Sequence, residues 1–221
     1  MSLALVVPTW NEAPRIRALA EHVASLGALE CVVVDGGSED ATVEEARATG
    51  LRVLTGPRGR AAQMNRGAAA TSAEHLLFLH ADTRLPSGAP ALVLETLRDE
   101  GVALGAFGFR FDRGGARLGL VQAGARLRGR FGFPYGDQGL FLRRSTFEAL
   151  GGFSELPIGE DFDLVVRARA RGRVLVRNEE AITSSRRYEE RGVLRLMARH
   201  QWLGVRLALG WRPKAGEDVP R

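Results

Sequence analysis

The sequence predicts an α/β domain with a mostly parallel central sheet and helices on both faces. Three observations carry that prediction. Short apolar runs alternate with helical spacing four times in the first hundred residues, the pattern of buried strands joined by crossover helices. The apolar runs stop at clusters of Gly, Asp, Ser and Asn, which end strands. A chain of 221 residues, 45% hydrophobic and 26% charged, is long and apolar enough for one packed core. That excludes disordered, collagen-like and disulfide-scaffold chains.

Taken in order, Leu3-Ala4-Leu5-Val6-Val7, closed by Pro8, reads as a strand buried on both faces. Glu12 to Leu26 has helical spacing and ends at Gly27. Cys31 to Val34 is a second strand, stopping at Asp35-Gly36-Gly37-Ser38. Asp40 is placed to cap a helix that runs to Thr49, before Gly50. Leu51 to Leu54 is a third strand, Gly59 to Thr71 an alanine-rich helix, and Leu76 to Leu79 a fourth strand ending at His80-Ala81-Asp82. A helix then starts at Ser87 or Gly88 and runs to about Asp99.

The second half changes character. Ala103 to Phe111 alternates and reads as a strand; Leu118 to Arg130 is basic and partly helical. Gly139 to Arg143 is a short strand, Ser145 to Leu150 and Phe162 to Ala170 are helices, and Val174 to Val176 is a last strand. Arg191 to Leu209 is helical in spacing again. No Pro/Gly/Ser linker separates the halves, so the reading is one domain over 1–221, with parts 1–100, 101–180 and a C-terminal helical segment 181–221.

The N-terminal apolar run is too short for a signal peptide and lacks a basic flank. No stretch reaches spanning length. A lone cysteine, Cys31, leaves no intrachain disulfide or cysteine-cluster zinc site. These features predict a cytoplasmic protein. The C-terminal segment Arg191 to Trp211 is expected to dock on the fold, and its arginines also permit peripheral contact with an anionic membrane surface. Net charge is +5, and nearly all the basic residues are Arg, whose fork suits phosphate and carboxylate. The charges are scattered and aromatics are few, so a phosphate-bearing small molecule fits better than nucleic acid.

Open parallel sheets bind ligands beyond the carboxyl ends of their strands. Three such ends carry polar groups: Pro8-Thr9-Trp10-Asn11-Glu12, Asp35-Gly36-Gly37-Ser38 and His80-Ala81-Asp82-Thr83. Any one of them alone reads equally as a helix cap or turn; the three together point to a site.

PTWNE, VVVDGGSEDAT and LLFLHADT, together with GRAAQMNRGAAA, PYGDQGLFLRR and LGGFSELPIGEDFDL, resemble the family 2 glycosyltransferases of GT-A fold. The set is similar to the short soluble bacterial branch known as selenodomain-associated or arsenosugar-type transferases. The resemblance runs from about residue 3 to about residue 176 and is specific as a set, whereas DGGS or HAD alone is weak. It implies a nucleotide-diphospho-sugar transferase fold, with 1–100 as the nucleotide-binding part and 101–180 as the acceptor and catalytic part. It also implies an inverting transfer of a sugar from a UDP- or GDP-sugar to an unknown hydroxyl acceptor.

On that resemblance, the loop Pro8, Thr9, Asn11, Glu12 and the carboxylate of Asp35 cradle base and ribose, with Gly36 giving close backbone approach. Arg60 is the diphosphate partner, and Asn65 bonds the sugar or ribose. His80, Ala81 and Asp82 take the place of the family's Asp-x-Asp motif, whose last carboxylate, Asp82 here, holds Mg²⁺ or Mn²⁺. His80 replaces the first Asp of that motif; it suits Mn²⁺ better than Mg²⁺, but equally bonds the ribose or faces the core. Asp161 is the expected general base and Asp137 the second candidate, or an acceptor-binding group. Helix-dipole preference alone also explains acids at Glu160, Asp161 and Asp163.

Other classes fit less well. A sugar-1-phosphate nucleotidyltransferase carries a Gly-rich basic segment after its first strand, where this chain has Pro8 to Glu12. A non-catalytic sugar-nucleotide-binding module is expected to lack the late carboxylates. A nucleic-acid-binding domain is disfavoured by scattered Arg and sparse aromatics.

Overall fold

The computed structural model describes residues 2–27 and 29–192, with Trp202, Arg206 and Trp211. The helix expected over 191–209 lies outside the described residues, apart from its first residue, Trp202 and Arg206.

The first half follows the pattern of its apolar runs. Strands β1 (Leu3–Thr9), β2 (Glu30–Asp35), β3 (Arg52–Thr55) and β4 (His75–Phe78) alternate with helices α1 (Ala13–Ser25), α2 (Thr42–Ala48) and α3 (Arg60–Ala69). Next come β5 (Thr83–Arg84), α4 (Ala89–Leu97), β6 (Val102–Phe111) and α5 (Ala116–Arg130). A 3₁₀ turn at Gly136–Gln138 leads into β7 (Leu140–Arg143), α6 (Arg144–Ala149), α7 (Glu160–Arg169), β8 (Arg173–Thr183) and α8 (Arg186–Arg191).

Together the strands make one eight-stranded sheet, in the order β3-β2-β1-β4-β7-β6-β8-β5. Its first four strands are parallel neighbours, as expected. The second half departs from a simple parallel sheet. β7 runs antiparallel to both β4 and β6, and β5 antiparallel to β8, while β6 and β8 are parallel. β8 is much longer than the Val174 to Val176 run, because partners along β6 hold residues that carry no apolar signal of their own. β5, the 3₁₀ turn and α8 carry no apolar pattern: TR, GDQ and RRYEER are almost wholly polar.

The period-2 alternation explains how both faces are covered. Ala4, Val6, Val32, Val34, Leu76 and Phe78 pack with Ala61, Met64 and Ala68 of α3 and with Leu164, Val165 and Ala168 of α7. Leu3, Leu5, Val7, Val33, Leu77 and Leu79 pack with α1, α2 and α4 on the opposite face. Cys31 lies in this second layer, and burial pushes its thiol up to about 12. That makes it an inert core residue.

One close approach fixes the height of α3. A Cβ on Gly67 would sit 2.3 Å from Val6 Cγ1 and 3.0 Å from Val34 Cγ2. Glycine there lets α3 lie directly on β1 and β2, which brings its N-terminal residue Arg60 over the strand ends. Gly67→Ala is expected to destabilise the fold by about 1–3 kcal/mol through overpacking. Urea unfolding of the single variant and of Gly67→Ala with Val6→Ala checks this, the second change restoring part of the loss.

Candidate active site

Parallel pairing puts Thr9 opposite Asp35 and Asp35 opposite Thr55, so the first two strand-end loops start side by side. Asp35 is only 1% exposed. Its Oδ2 accepts from the N–H groups of Gly37 (2.9 Å) and Ser38 (2.8 Å), and its Oδ1 from the hydroxyls of Thr9 and Ser38. These donors occupy a carboxylate's acceptor sites. The carboxylate thus sits beneath the loop and shapes it, and Gly37 is exposed on the turn above it.

The first loop is tied to the second by Asn11, which adopts a left-handed φ of 52°. Its N–H donates to Ser38 Oγ (2.8 Å), and its Oδ1 accepts from Glu39 N–H (2.9 Å). Pro8 and Thr9 belong to the buried strand itself. Glu12 starts α1, pairs with Arg15, and its N–H donates to Thr42 Oγ1 (2.8 Å). Asp40 precedes the N-cap residue Ala41 and not the helix itself, accepting from Thr42 N–H and from the N–H of Ala13, the first residue of α1. Trp10 stays 40% exposed, with the Arg58 guanidinium 3.5 Å over its ring.

Gln63 was missed by the sequence reading. It is 3% exposed and its Nε2 donates to both Thr9 O and Val34 O at 2.8 Å. Its Oε1 accepts from Gly59 N–H (3.3 Å). One buried amide thus joins the ends of β1 and β2 to the start of α3. A glutamine on an apolar helix face was the available signal, because a buried amide needs partners.

Asn65, near the middle of α3, bonds one backbone residue twice. Its Nδ2 donates to Phe153 O (2.9 Å), and its Oδ1 accepts from Phe153 N–H (2.8 Å). Both ends of the amide pin the loop before α7.

The acids at the start of α7 divide their work. Glu160 is buried and ion-paired with Arg60, Nε to Oε1 at 2.7 Å. Asp163 accepts from Ser154 Oγ (2.7 Å) and from Arg167 Nε (2.8 Å). Asp161 alone of the three is turned to other groups. Its Oδ2 accepts from Gly136 N–H at 2.6 Å and its Oδ1 from Phe162 N–H at 2.8 Å. A Cβ on Gly136 would meet Asp161 Oδ2 at 2.9 Å and His80 Nε2 at 3.2 Å. The 3₁₀ turn carrying Asp137, the end of β4 with His80, and the start of α7 therefore converge on one spot. His80 faces this cluster and not the core, and Arg60 reaches it through Glu160, Asp161 and Asp137.

Burial pushes the Asp161 carboxyl up, but Arg60, the two N–H groups and His80 outweigh burial and hold it below the usual carboxyl range. Burial pushes Glu160 up, and Arg60 opposes this only in part.

Asp82 lies on the turn between β4 and β5, where Thr83 N–H donates to His80 O (3.1 Å) and Ser184 N–H to Asp82 O (3.1 Å). Ala81 packs into the second core layer. The side of the turn bearing Asp82 lines a cavity of about 340 Å³ with Arg84, Arg110, Phe111 and Asp112. Among the described residues, no group of three or more His, Cys, Asp or Glu gathers to hold a metal ion. An oxygen donor bordering open space fits a hard cation that takes its other ligands from phosphate and water; it does not fit a caged structural metal.

The model of glycosyl transferase family 2 matches residues 4–146. The chain belongs to glycosyl transferase family 2. This glycosyltransferase resembles solved structures along nearly its whole length. The mannosyltransferase PcManGT from Pyrobaculum calidifontis, in complex with GDP-Man and Mn²⁺, superposes with a TM-score of 0.76 at 21% identity, over 99% of this chain and 67% of that one. Glucosyl-3-phosphoglycerate synthase from Mycobacterium tuberculosis, with Mn²⁺, UDP and glucosyl-3-phosphoglycerate, gives 0.68 at 24%, over 97% and 82%. TarS residues 1–349 from S. aureus, with UDP-GlcNAc, gives 0.63 at 20%, over 83% and 58%. At such identities the likeness is one of fold, and the fold of this glycosyltransferase is GT-A. No curated protein sequence matches the chain significantly.

Two outcomes follow from the acid cluster. Arg60→Met strands the buried Glu160 and is expected to cost about 3 kcal/mol, most of it regained by adding Glu160→Gln; urea unfolding measures both. Asp161 has a lower pKa folded than unfolded, so its contribution to stability is full above about pH 4 and is lost as pH falls through the folded value. Asp161→Asn is expected to flatten that acid limb of the stability profile.

Proposed function

We propose that this glycosyltransferase is inverting and transfers a sugar from a UDP- or GDP-sugar to a hydroxyl acceptor, with Asp161 as general base. The observation that carries the reading is the Asp161 carboxylate, ionised and fixed by Gly136 N–H beside His80 at the strand-end edge. The short selenodomain-associated branch is supported by the motif set quoted above.

In the step proposed, the acceptor oxygen forms a bond to the anomeric carbon while that carbon's bond to the diphosphate oxygen breaks. The electron pair leaves with the nucleoside diphosphate, and the acceptor proton passes to Asp161. A single in-line displacement inverts the anomeric centre. Each Asp161 oxygen accepts one N–H, which leaves acceptor capacity for that proton. The cluster holds Asp161 in its charged form before the acceptor arrives, so no separate deprotonation is needed.

On the donor side, the exposed Trp10 ring and the exposed Gly37 beside it are placed for the base and ribose. Asp35, Asn11 and Gln63 hold those loops in shape. Asp82 is the residue proposed to hold a divalent cation, Mg²⁺ or Mn²⁺, which when bound neutralises charge on the leaving diphosphate. The Mn²⁺ in the mannosyltransferase and synthase complexes supports a divalent cation. Arg60 stabilises the carboxylate cluster and lends it positive charge. Asp137, on the turn that fixes Asp161, is the proposed acceptor-side group.

Asp161→Asn is expected to lower sugar transfer, or donor hydrolysis with water as acceptor, by at least ~10²–10⁴-fold while donor affinity by calorimetry stays nearly unchanged. Normal turnover in Asp161→Asn with loss in Asp137→Asn would move the base to Asp137. Asp82→Ala is expected to remove the metal-dependent part of nucleotide affinity, read by titration with UDP or GDP with and without Mn²⁺.

A further inference from the structure

Helix α5 is apolar on two sides. Leu118, Val121 and Ala125 are buried against Phe109, Phe111 and Tyr188. On the side turned away from the fold, Leu120, Leu127 and the C-cap residue Phe131 are 54%, 57% and 65% exposed. At about 100° per residue these three project within about 40° of one another. Isolated apolar residues on a surface need no explanation, but a stripe of three along one helix does.

The charges beside the stripe have one sign. Over Ala116–Arg130 there are arginines at 117, 126, 128 and 130, and no acidic residue. Arg126 is paired with Glu180, and Arg128 donates to Phe133 O and covers the Tyr135 ring. Arg117 and Arg130 are exposed and form no ion pair among the described residues. On the same idealised helix they fall on either side of the stripe. Apolar side chains flanked by arginines match a surface that is apolar inside and anionic outside. Nucleic acid would engage the arginines and leave Leu120, Leu127 and Phe131 in water.

We propose that the outward face of α5 docks this chain on an anionic lipid surface. Leu120, Leu127 and Phe131 enter the acyl boundary, while Arg117 and Arg130 meet headgroup phosphates. The face is directly linked to the site. Asp137 is six positions along the chain from Phe131, a reach of at most ~20 Å, so docking holds the carboxylate edge close to the lipid. The proposal is independent of the sugar transferred and of the base assigned above.

Sedimentation of the full chain with vesicles tests it, using phosphatidylcholine alone and phosphatidylcholine mixed with phosphatidylglycerol. The chain is expected to bind only the anionic vesicles, and less in high salt. Leu120→Gln/Leu127→Gln/Phe131→Gln and Arg117→Gln/Arg130→Gln are each expected to lower the partition coefficient roughly tenfold or more. Both variants should keep the wild-type urea midpoint, because these side chains lie on the surface. Absence of binding to anionic vesicles overturns the proposal, and so does undiminished binding by the triple variant. A dimer in size-exclusion chromatography that Phe131→Gln breaks, without vesicle binding, assigns the face to a second copy of the chain and overturns it too.

Discussion

Glu160 is a buried carboxylate at the start of α7, and it is tolerated because Arg60, at the start of α3, lies against it. Much of the site depends on that pair. It binds the N-termini of two helices from opposite halves of the chain, and both helices pack on the same sheet face. The neighbouring residue, Asp161, is thereby carried to the strand-end edge, where Gly136 and His80 meet it. The same guanidinium keeps Asp161 charged. A buried pair of this kind adds little net stability of its own. Its effect is to fix geometry, since separating the two helices would leave a charge in the core.

The first two loops are held by hydrogen bonds around the Asp35 carboxylate. Asp35, Asn11, Ser38 and Gln63 form a network under the first two loops, and most of their polar atoms are spent within it. Loop backbone normally moves on the surface. Here it is pinned from below, so Gly37 and the Trp10 ring are held in place at the open edge. The deeply buried polar residues at the strand ends thus shape the loops, while Trp10 and Gly37 stay open above them.

The second half of the sheet adds the edge where Asp161 and Gly136 meet. β7, antiparallel between β4 and β6, places the 3₁₀ turn that precedes it next to the end of β4. That is how Gly136, far from His80 in sequence, comes to sit beside it. The same segment leads back to α5 through Phe133 and Tyr135, with Arg169 and Arg128 stacked on those rings. The edge carrying Asp161 and the outward helix face are thus parts of one connected wall.

The sequence by itself determined the β/α alternation of the first hundred residues, because period-2 and period-3.6 burial are local patterns. It also determined the strand-end clusters, the family resemblance and the acid run at Glu160 to Asp163. Only the tertiary structure decided which of those acids is a structural partner and which is turned to the site. Arg60 meets Glu160 across a hundred residues of chain, and Asn65 meets Phe153 across eighty-eight. It likewise decided that Asp35 lies beneath its loop and that β7 enters antiparallel. The reason is the same in each case: a polar side chain takes its role from the donors and acceptors packed around it, and those neighbours come from distant segments that no local pattern encodes.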